Sequence, residues 1–204
     1  MSIIPNRKRI AAGVAAVLAA VSLTACSSDS SGSSDSAGSD APSASSSFRD
    51  VDAIKEDGTV KIGVFSDKAP FGYVDANGGY AGYDIEYGNR LGEDLGVEVE
   101  YVPVEAASRV EFLDTNKVDI ILANFTVTPE RQEKVDFANP YMKVSLGAVT
   151  PDAKPLNSVE ELEGKNVIVV KGTTAEAYLE ENHPEIKLTK FEQYTDCLLY
   201  TSPS

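Results

Sequence analysis

The stretch 118–141, VDIILANFTVTPERQEKVDFANPY, constrains the fold more than any other part of the chain. It opens on the apolar run Ile120-Ile121-Leu122-Ala123, the pattern of a buried strand, and turns polar at Asn124 and Thr126. Thr128-Pro129-Glu130-Arg131 has the form of a helix start, with threonine as N-cap, proline at the first helical position and an acid in the first turn. A strand therefore ends, presents small hydrogen-bonding groups, and runs into the amino end of a helix. Unpaired N–H groups and partial positive charge gather there, and Arg131 adds a planar fork suited to a carboxylate. Two readings are open at this point: a strand end that holds a small ligand's carboxylate, or a common strand-loop-helix unit with a surface arginine.

The segments before it supply the context. Residues 51–56 read as a short helix stopped by Asp57-Gly58, and 60–65 alternates as a strand. A loop over 66–71 follows. Residues 71–74 and 80–83 flank Asp75-Ala76-Asn77-Gly78-Gly79, a hairpin signal. Asp84 is expected to cap a helix that Gly96 ends; 97–104 is the next strand, and 106–115 a helix. Strand, helix, strand, helix, strand predicts a parallel sheet with right-handed crossovers. Ligands of such sheets sit beyond the carboxyl ends of the strands, where Phe65, Glu105 and Asn124 fall.

Residues 144–150 read as a further apolar strand and 151–156 as a polar break. A short helix over 159–163 and a buried strand over 166–170 come next. Lys171-Gly172-Thr173-Thr174 then opens a helix that runs over 175–182, which repeats the design of 118–141: Gly172 allows close backbone approach and the threonines offer hydroxyls at a helix start. A strand over 187–191 follows, and 193–196 begin another element.

The charge balance narrows the function classes. Among 204 residues, 18 Lys+Arg stand against 32 Asp+Glu, a net charge of -14. No basic patch is present, which argues against nucleic acid as a partner. Two cysteines, Cys26 and Cys197, make no disulfide framework, and no cluster of metal ligands exists. No metal or cofactor is expected. The single histidine, His183, reads as a helix-end or loop residue rather than a base. Residues 1–25 read as a targeting segment, with Arg7-Lys8-Arg9 ahead of an apolar core over 10–21 that is too short to span a membrane. Leu23-Thr24-Ala25-Cys26 resembles the lipobox of bacterial lipoproteins, in which the cysteine sulfur is diacylated. Residues 27–47, almost all Ser, Gly, Ala and Asp, read as a flexible tether.

Over about 59–196 the chain resembles the extracytoplasmic solute-binding proteins, family 3, of polar amino-acid ABC transporters. The resemblance is carried by Ala69-Pro70-Phe71-Gly72-Tyr73, Gly82-Tyr83-Asp84-Ile85-Glu86, Val118-Asp119-Ile120-Ile121, Thr126-Val127-Thr128-Pro129-Glu130-Arg131, Val135-Asp136-Phe137 with Pro140-Tyr141, and Lys171-Gly172-Thr173-Thr174. The helix after Asp84 departs from the pattern at Tyr87-Gly88-Asn89, and Gly88 is expected to weaken it by about 1 kcal/mol relative to Ala. Ala106-Ala107-Ser108-Arg109-Val110-Glu111-Phe112-Leu113, Ala123-Asn124-Phe125-Thr126 and Pro140-Tyr141-Met142-Lys143-Val144 bring it nearest to cysteine-binding members.

The resemblance implies an α/β, periplasmic-binding-protein-like type II fold whose two lobes close on one amino acid. Arg131 would pair with the α-carboxylate, Thr126 would support it, and Thr174 and Gly172 would join from the second lobe. Asn124 would lie beside the α-ammonium, and Phe65 and Ala106 would line the side-chain pocket. Phe65 stands where some relatives keep an acid, which argues against a basic side chain. Arg109 is a further candidate, or else a surface helix charge. The implied function is a monomeric, non-enzymatic lipoprotein outside the cytoplasm, anchored to the membrane through Cys26, that binds a free amino acid, best a cysteine-like one, and delivers it to an ABC permease. An enzyme on the same fold (dehydratase-like) and a sensor input domain are the alternatives.

The expected organisation is a signal segment over 1–25, a tether over 26–47, a first lobe over 48–147 and an incomplete second lobe over 148–196. Residues 197–204 do not resemble the amphipathic helix expected there and read as a non-native tail, in which Cys197 has no role. Residues 48–204 taken alone are expected to bind with negligible affinity.

Overall fold

The computed structural model describes residues 48–150 and 154–201. The leader, Cys26 and the tether lie outside the described residues. Among the described residues, no helix is long and apolar enough to cross a membrane.

Helix α1 (Val51–Asp57) is capped by the Asp50 carboxylate, which accepts from the Ala53 N–H, and ends at Gly58 in the left-handed region. Strand β1 (Thr59–Val64) follows and becomes the centre of a three-stranded parallel sheet. Its partners are β5 (Glu98–Pro103) and β6 (Ile120–Leu122), in the order β5-β1-β6, with Ile62 opposite both Tyr101 and Ile120. Val60, Ile62 and Val64 line one face of β1 and are fully buried, and Ile54, Ile85 and Leu122 complete that core.

Between β1 and β5 lies a small antiparallel sheet of β2 (Asp67–Lys68), β3 (Gly72–Val74) and β4 (Tyr80–Ala81). The β3–β4 hairpin turns as its Asp-Ala-Asn-Gly-Gly loop predicts, with the Asp75 carboxylate accepting from the N–H groups of Asn77 and Gly79. The loop expected over 66–71 contains β2, a two-residue strand paired to β3.

Helix α2 (Tyr83–Leu95) starts at Gly82, and Asp84 is not its cap. Asp84 is instead fully buried in the first turn, where its Oδ1 accepts from the Tyr141 hydroxyl at 2.8 Å. The reason is position: Gly82 has φ 120°, and a Cβ there would lie 2.3 Å from the Phe71 carbonyl oxygen, so glycine must occupy the cap. Gly88 also has a packing role beyond helix propensity. Tyr101 on β5 donates its hydroxyl to the Ile85 carbonyl at 2.7 Å, and a Cβ on Gly88 would meet that hydroxyl oxygen at 2.7 Å.

Helix α3 (Arg109–Asp114) is shorter than the expected 106–115, because a Glu105–Ser108 turn precedes it. Helix α4 (Pro129–Gln132) begins as the sequence indicates: Thr128 accepts from the Arg131 N–H and Pro129 occupies the first turn. The strand expected over 144–150 does not form. Those residues pair with no strand, and Val144, Leu146 and Val149 are 43%, 60% and 95% exposed. An apolar run becomes a strand only when a neighbour supplies the ladder, and none of the described strands reaches it.

After a single 3-10 turn at Glu160–Leu162, β7 (Asn166–Val170) pairs in parallel with β8 (Lys187–Phe191). Helix α5 (Thr174–Asn182) connects them, with the Thr173 hydroxyl capping through the Glu176 N–H and His183 at its carboxyl end. Leu162, Val169, Leu179 and Ile186 form the core of this second unit. Helix α6 (Tyr194–Thr201) takes in the first residues of the tail read in the sequence, and its Tyr194 and Cys197 pack against Phe65, Val104, Ala106, Ala123 and Val170. Leu199 and Tyr200 on the same helix are exposed.

Candidate functional site

Four of the five parallel strands, all but β8, lead to one place. Phe65 follows β1, Val104 and Ala106 follow β5, Ala123 follows β6, and Val170 ends β7; together they make one buried cluster joining the two parallel sheets. The polar groups that surround this cluster come from these strand ends and from β2, α3, α4 and α6.

Asn124, directly after Ala123, has φ 44°, a left-handed conformation that asparagine tolerates better than most residues. The chain then turns through Phe125 and Thr126 to α4. Arg131 on α4 donates from one terminal nitrogen to the Thr126 carbonyl at 2.7 Å and from the other to the Gly172 carbonyl at 2.9 Å. Thr126 thus meets Arg131 through its carbonyl. Gly172 lies at the end of β7 with φ 72°, and a Cβ there would fall 2.5 Å from Ala107 Cα, so only glycine lets the second sheet approach this closely. Thr174 is the first residue of α5, two positions beyond Gly172.

Arg109 takes the second of the two roles considered for it only in part: it is on a helix, but it is not a surface charge. It is 3% exposed, and its guanidinium is spent on main-chain carbonyls. Nε donates to Ala106 at 2.8 Å, one terminal nitrogen to Ala123 at 3.0 Å and Asn124 at 3.3 Å, and the other to Gly172 at 2.8 Å. The Gly172 carbonyl therefore accepts from both arginines. Burial first, and then the charge of Arg131, push the Arg109 guanidinium down to about 10. Burial also lowers Arg131.

Aromatic rings separate the cations. Phe125 carries Arg109 at 4.4 Å and Arg131 at 4.7 Å from its centroid, and Phe65 carries Arg109 at 5.6 Å and Lys68 at 5.4 Å. The row runs Arg131, Phe125, Arg109, Phe65, Lys68, with a favourable cation–π contact at each step. Lys68, on β2, was not among the residues singled out in the sequence. Its Nζ donates to Asn124 Oδ1 at 2.7 Å and to the Tyr194 hydroxyl at 2.9 Å. Tyr194 likewise escaped the sequence reading; its ring meets Phe65 edge-on at 5.4 Å. Glu105 stays exposed at the rim, 3.5 Å from Gln193.

One buried acid, Asp84, faces Lys68. Asp84 Oδ2 has no hydrogen bond. Burial holds the Asp84 carboxyl above the usual carboxylate range, against the opposing pull of the Tyr141 hydroxyl, the Asn124 N–H and Lys68. Two surface depressions lie elsewhere: one is lined by Asn89, Gly92 and Val97, another by Arg49, Ala53 and Glu56. Gly172 accepts from the cation row at Arg131, and Tyr194 at Lys68. Chemically, the row offers forked and single donors to an anion of small size, buried at Arg109 and half-buried at Arg131 and Lys68.

The family profile described as "Bacterial extracellular solute-binding proteins, family 3" matches residues 60–192. A similar curated protein is the ABC transporter glutamine-binding protein GlnH of Bacillus subtilis (strain 168), 31% identical over 149 residues; the match covers 71% of this chain and 55% of that protein. Among solved structures, the solute receptor for L-cysteine of Neisseria gonorrhoeae aligns with a TM-score of 0.72 and 54% identity, over 74% of this chain and 63% of that one. The cysteine-binding protein of Campylobacter jejuni aligns with a TM-score of 0.72 and 52% identity, over 74% and 62%. The chain thus spans a little over half the length of its relatives.

Proposed function

Because this chain belongs to the bacterial extracellular solute-binding proteins, family 3, we propose that the complete protein is a lipid-anchored receptor that binds one small polar amino acid, cysteine first, and delivers it to an ABC importer. The observation that carries the reading is the Arg131 fork, partly buried on α4 and, among the described residues, hydrogen-bonded to the two neutral carbonyls of Thr126 and Gly172. A carboxylate that displaces the Gly172 carbonyl exchanges a neutral acceptor for a charged one, and charge-assisted bonds are roughly twice as strong. Thr126 and Thr174 supply further donors to that carboxylate from the two lobes. Asn124 lies beside the ammonium: its Oδ1 gives one lone pair to Lys68 and keeps the other. Phe65 and Ala106 form the pocket wall, and Arg109 sets the shape of the site through the four carbonyls it holds.

In this reading 48–147 make the first lobe and the second begins at 148, with 1–25 as leader, Cys26 as the lipid attachment point, and 26–47 as the tether. The likeness to the cysteine receptors of Neisseria gonorrhoeae and Campylobacter jejuni supports cysteine as ligand. The engagement of Asp84 with the Tyr141 hydroxyl supports a binding role over an enzymatic one, since that acid already serves the fold.

Calorimetric titration of the complete protein with the common amino acids tests the proposal. One small polar amino acid is expected to bind, and Arg131→Ala to weaken it by about 100-fold or more, the usual cost of removing one partner of a buried charge pair. Failure of every amino acid to bind overturns the function. Retained affinity in the Arg131→Ala variant overturns the carboxylate assignment.

A further inference from the structure

The Lys68 ammonium has no role in the carboxylate site, yet it is among the most heavily invested groups of the region. Its two hydrogen-bond acceptors, Asn124 Oδ1 and the Tyr194 hydroxyl, use two of its three protons. The rings of Phe65, Phe71 and Tyr194 surround it at 5.4, 5.4 and 4.2 Å. The charged groups that face it are Arg109, Asp84 and Asp67. Neither carboxylate forms an ion pair with it: Asp84 Oδ1 is taken by the Tyr141 hydroxyl, and Asp67 Oδ2 accepts from the N–H groups of Tyr194 and Thr195. A cation placed among rings and neutral acceptors loses hydration without gaining an anion. Its remaining proton is the strongest unspent donor on this side of Phe65.

We propose that Lys68 is the specificity-determining residue of the amino-acid site, receiving the side-chain head of a short ligand that ends in an anion-forming group, the thiol of cysteine in first place. The inference rests on the reading of the site as an amino-acid receptor. With the ligand carboxylate on Arg131, the row of rings and cations leads its side chain toward Phe65 and Lys68. The edge-on contact of Phe65 with Tyr194 limits the length of that side chain. Cationic heads meet like charge from Lys68 and Arg109. A thiol gains in two ways: sulfur makes favourable contacts with ring edges, and a neighbouring ammonium favours the thiolate. When the thiolate form binds, its proton passes to the solvent buffer. Serine has neither advantage. Aspartate shares the anion, but its carboxylate pays a larger dehydration cost among aromatic rings.

The test is calorimetry of the complete protein and its Lys68→Met variant with cysteine, serine, aspartate and lysine, in buffers of different ionisation enthalpy. Wild type is expected to prefer cysteine over serine and to release protons on binding it. Lys68→Met is expected to weaken cysteine by about tenfold, the equivalent of one charge-assisted bond, and serine by less than about threefold, with the proton release gone. A cysteine-to-serine ratio that is unchanged in the variant overturns the proposal. Aspartate in place of cysteine, lost in the same variant, supports the anion-forming head and makes a carboxylate its source. Wild type that binds none of the four overturns the receptor reading instead. Where Lys68→Met does not fold, Lys68→Gln, which keeps the donor without the charge, is read by the same ratio.

Discussion

At Lys68 the local physics has a consequence that needs no ligand. Burial, and then Arg109, push its ammonium down to about 8 from 10.5, while Asp84 and Asp67 act in the other direction. Between those two values the unfolded chain holds more protons than the folded one, so this lysine makes stability rise with pH through that window. Its penalty is complete below about pH 8 and gone above 10.5. Urea unfolding of wild type and Lys68→Met at a series of pH values is expected to give a stability difference that is constant near neutrality and changes from about pH 8 upward; parallel curves throughout would refute it. Arg131, Thr126 and Asn124 stand out as candidates in the sequence because they share one short run with a recognisable helix start. Lys68 does not, because its partners are 56 and 126 residues away and no local pattern distinguishes it from a loop lysine. Arg109 was visible as a candidate, but its four carbonyl acceptors belong to three separate stretches of the chain, so its burial could not be read locally.

The elements of the first parallel sheet were readable because their signals are redundant: apolar strands, glycine stops at Gly58 and Gly96, and a Thr-Pro helix start at α4 all agree. The run over 144–150 shows the limit of such reading, since β-propensity states what a segment can do and pairing decides what it does. Helix α2 shows the same at one residue. Propensity alone makes Gly88→Ala stabilising by about 1 kcal/mol. Against it stands the Tyr101 hydroxyl at 2.7 Å from the new Cβ, together with the hydrogen bond from that hydroxyl to Ile85. Overpacking at such a contact costs about 1–3 kcal/mol, and the displaced hydrogen bond about 1 more. Gly88→Ala is therefore expected to lower the urea midpoint, and a raised midpoint would show that Tyr101 yields without cost.

On the scale of the whole molecule, the two parallel sheets meet through few polar groups. Arg109 and Arg131 on the first-sheet side reach one carbonyl, that of Gly172, while Asp67 caps the start of α6 and Lys68 reaches Tyr194. The sequence could foretell that strand ends converge, since parallel topology requires it. It could not foretell that main-chain carbonyls would hold the arginines, because a carbonyl is present at every residue and carries no side-chain signature. The doubly claimed carbonyl of Gly172 makes capture of a ligand a matter of timing as well as affinity. Under the carboxylate role proposed for Arg131, an entering carboxylate waits until that oxygen leaves the guanidinium, so the observed association rate in stopped-flow fluorescence is expected to climb with ligand concentration and then level off at the rate of that departure. A rate that rises linearly without limit would mean that the guanidinium is open to solvent before the ligand arrives.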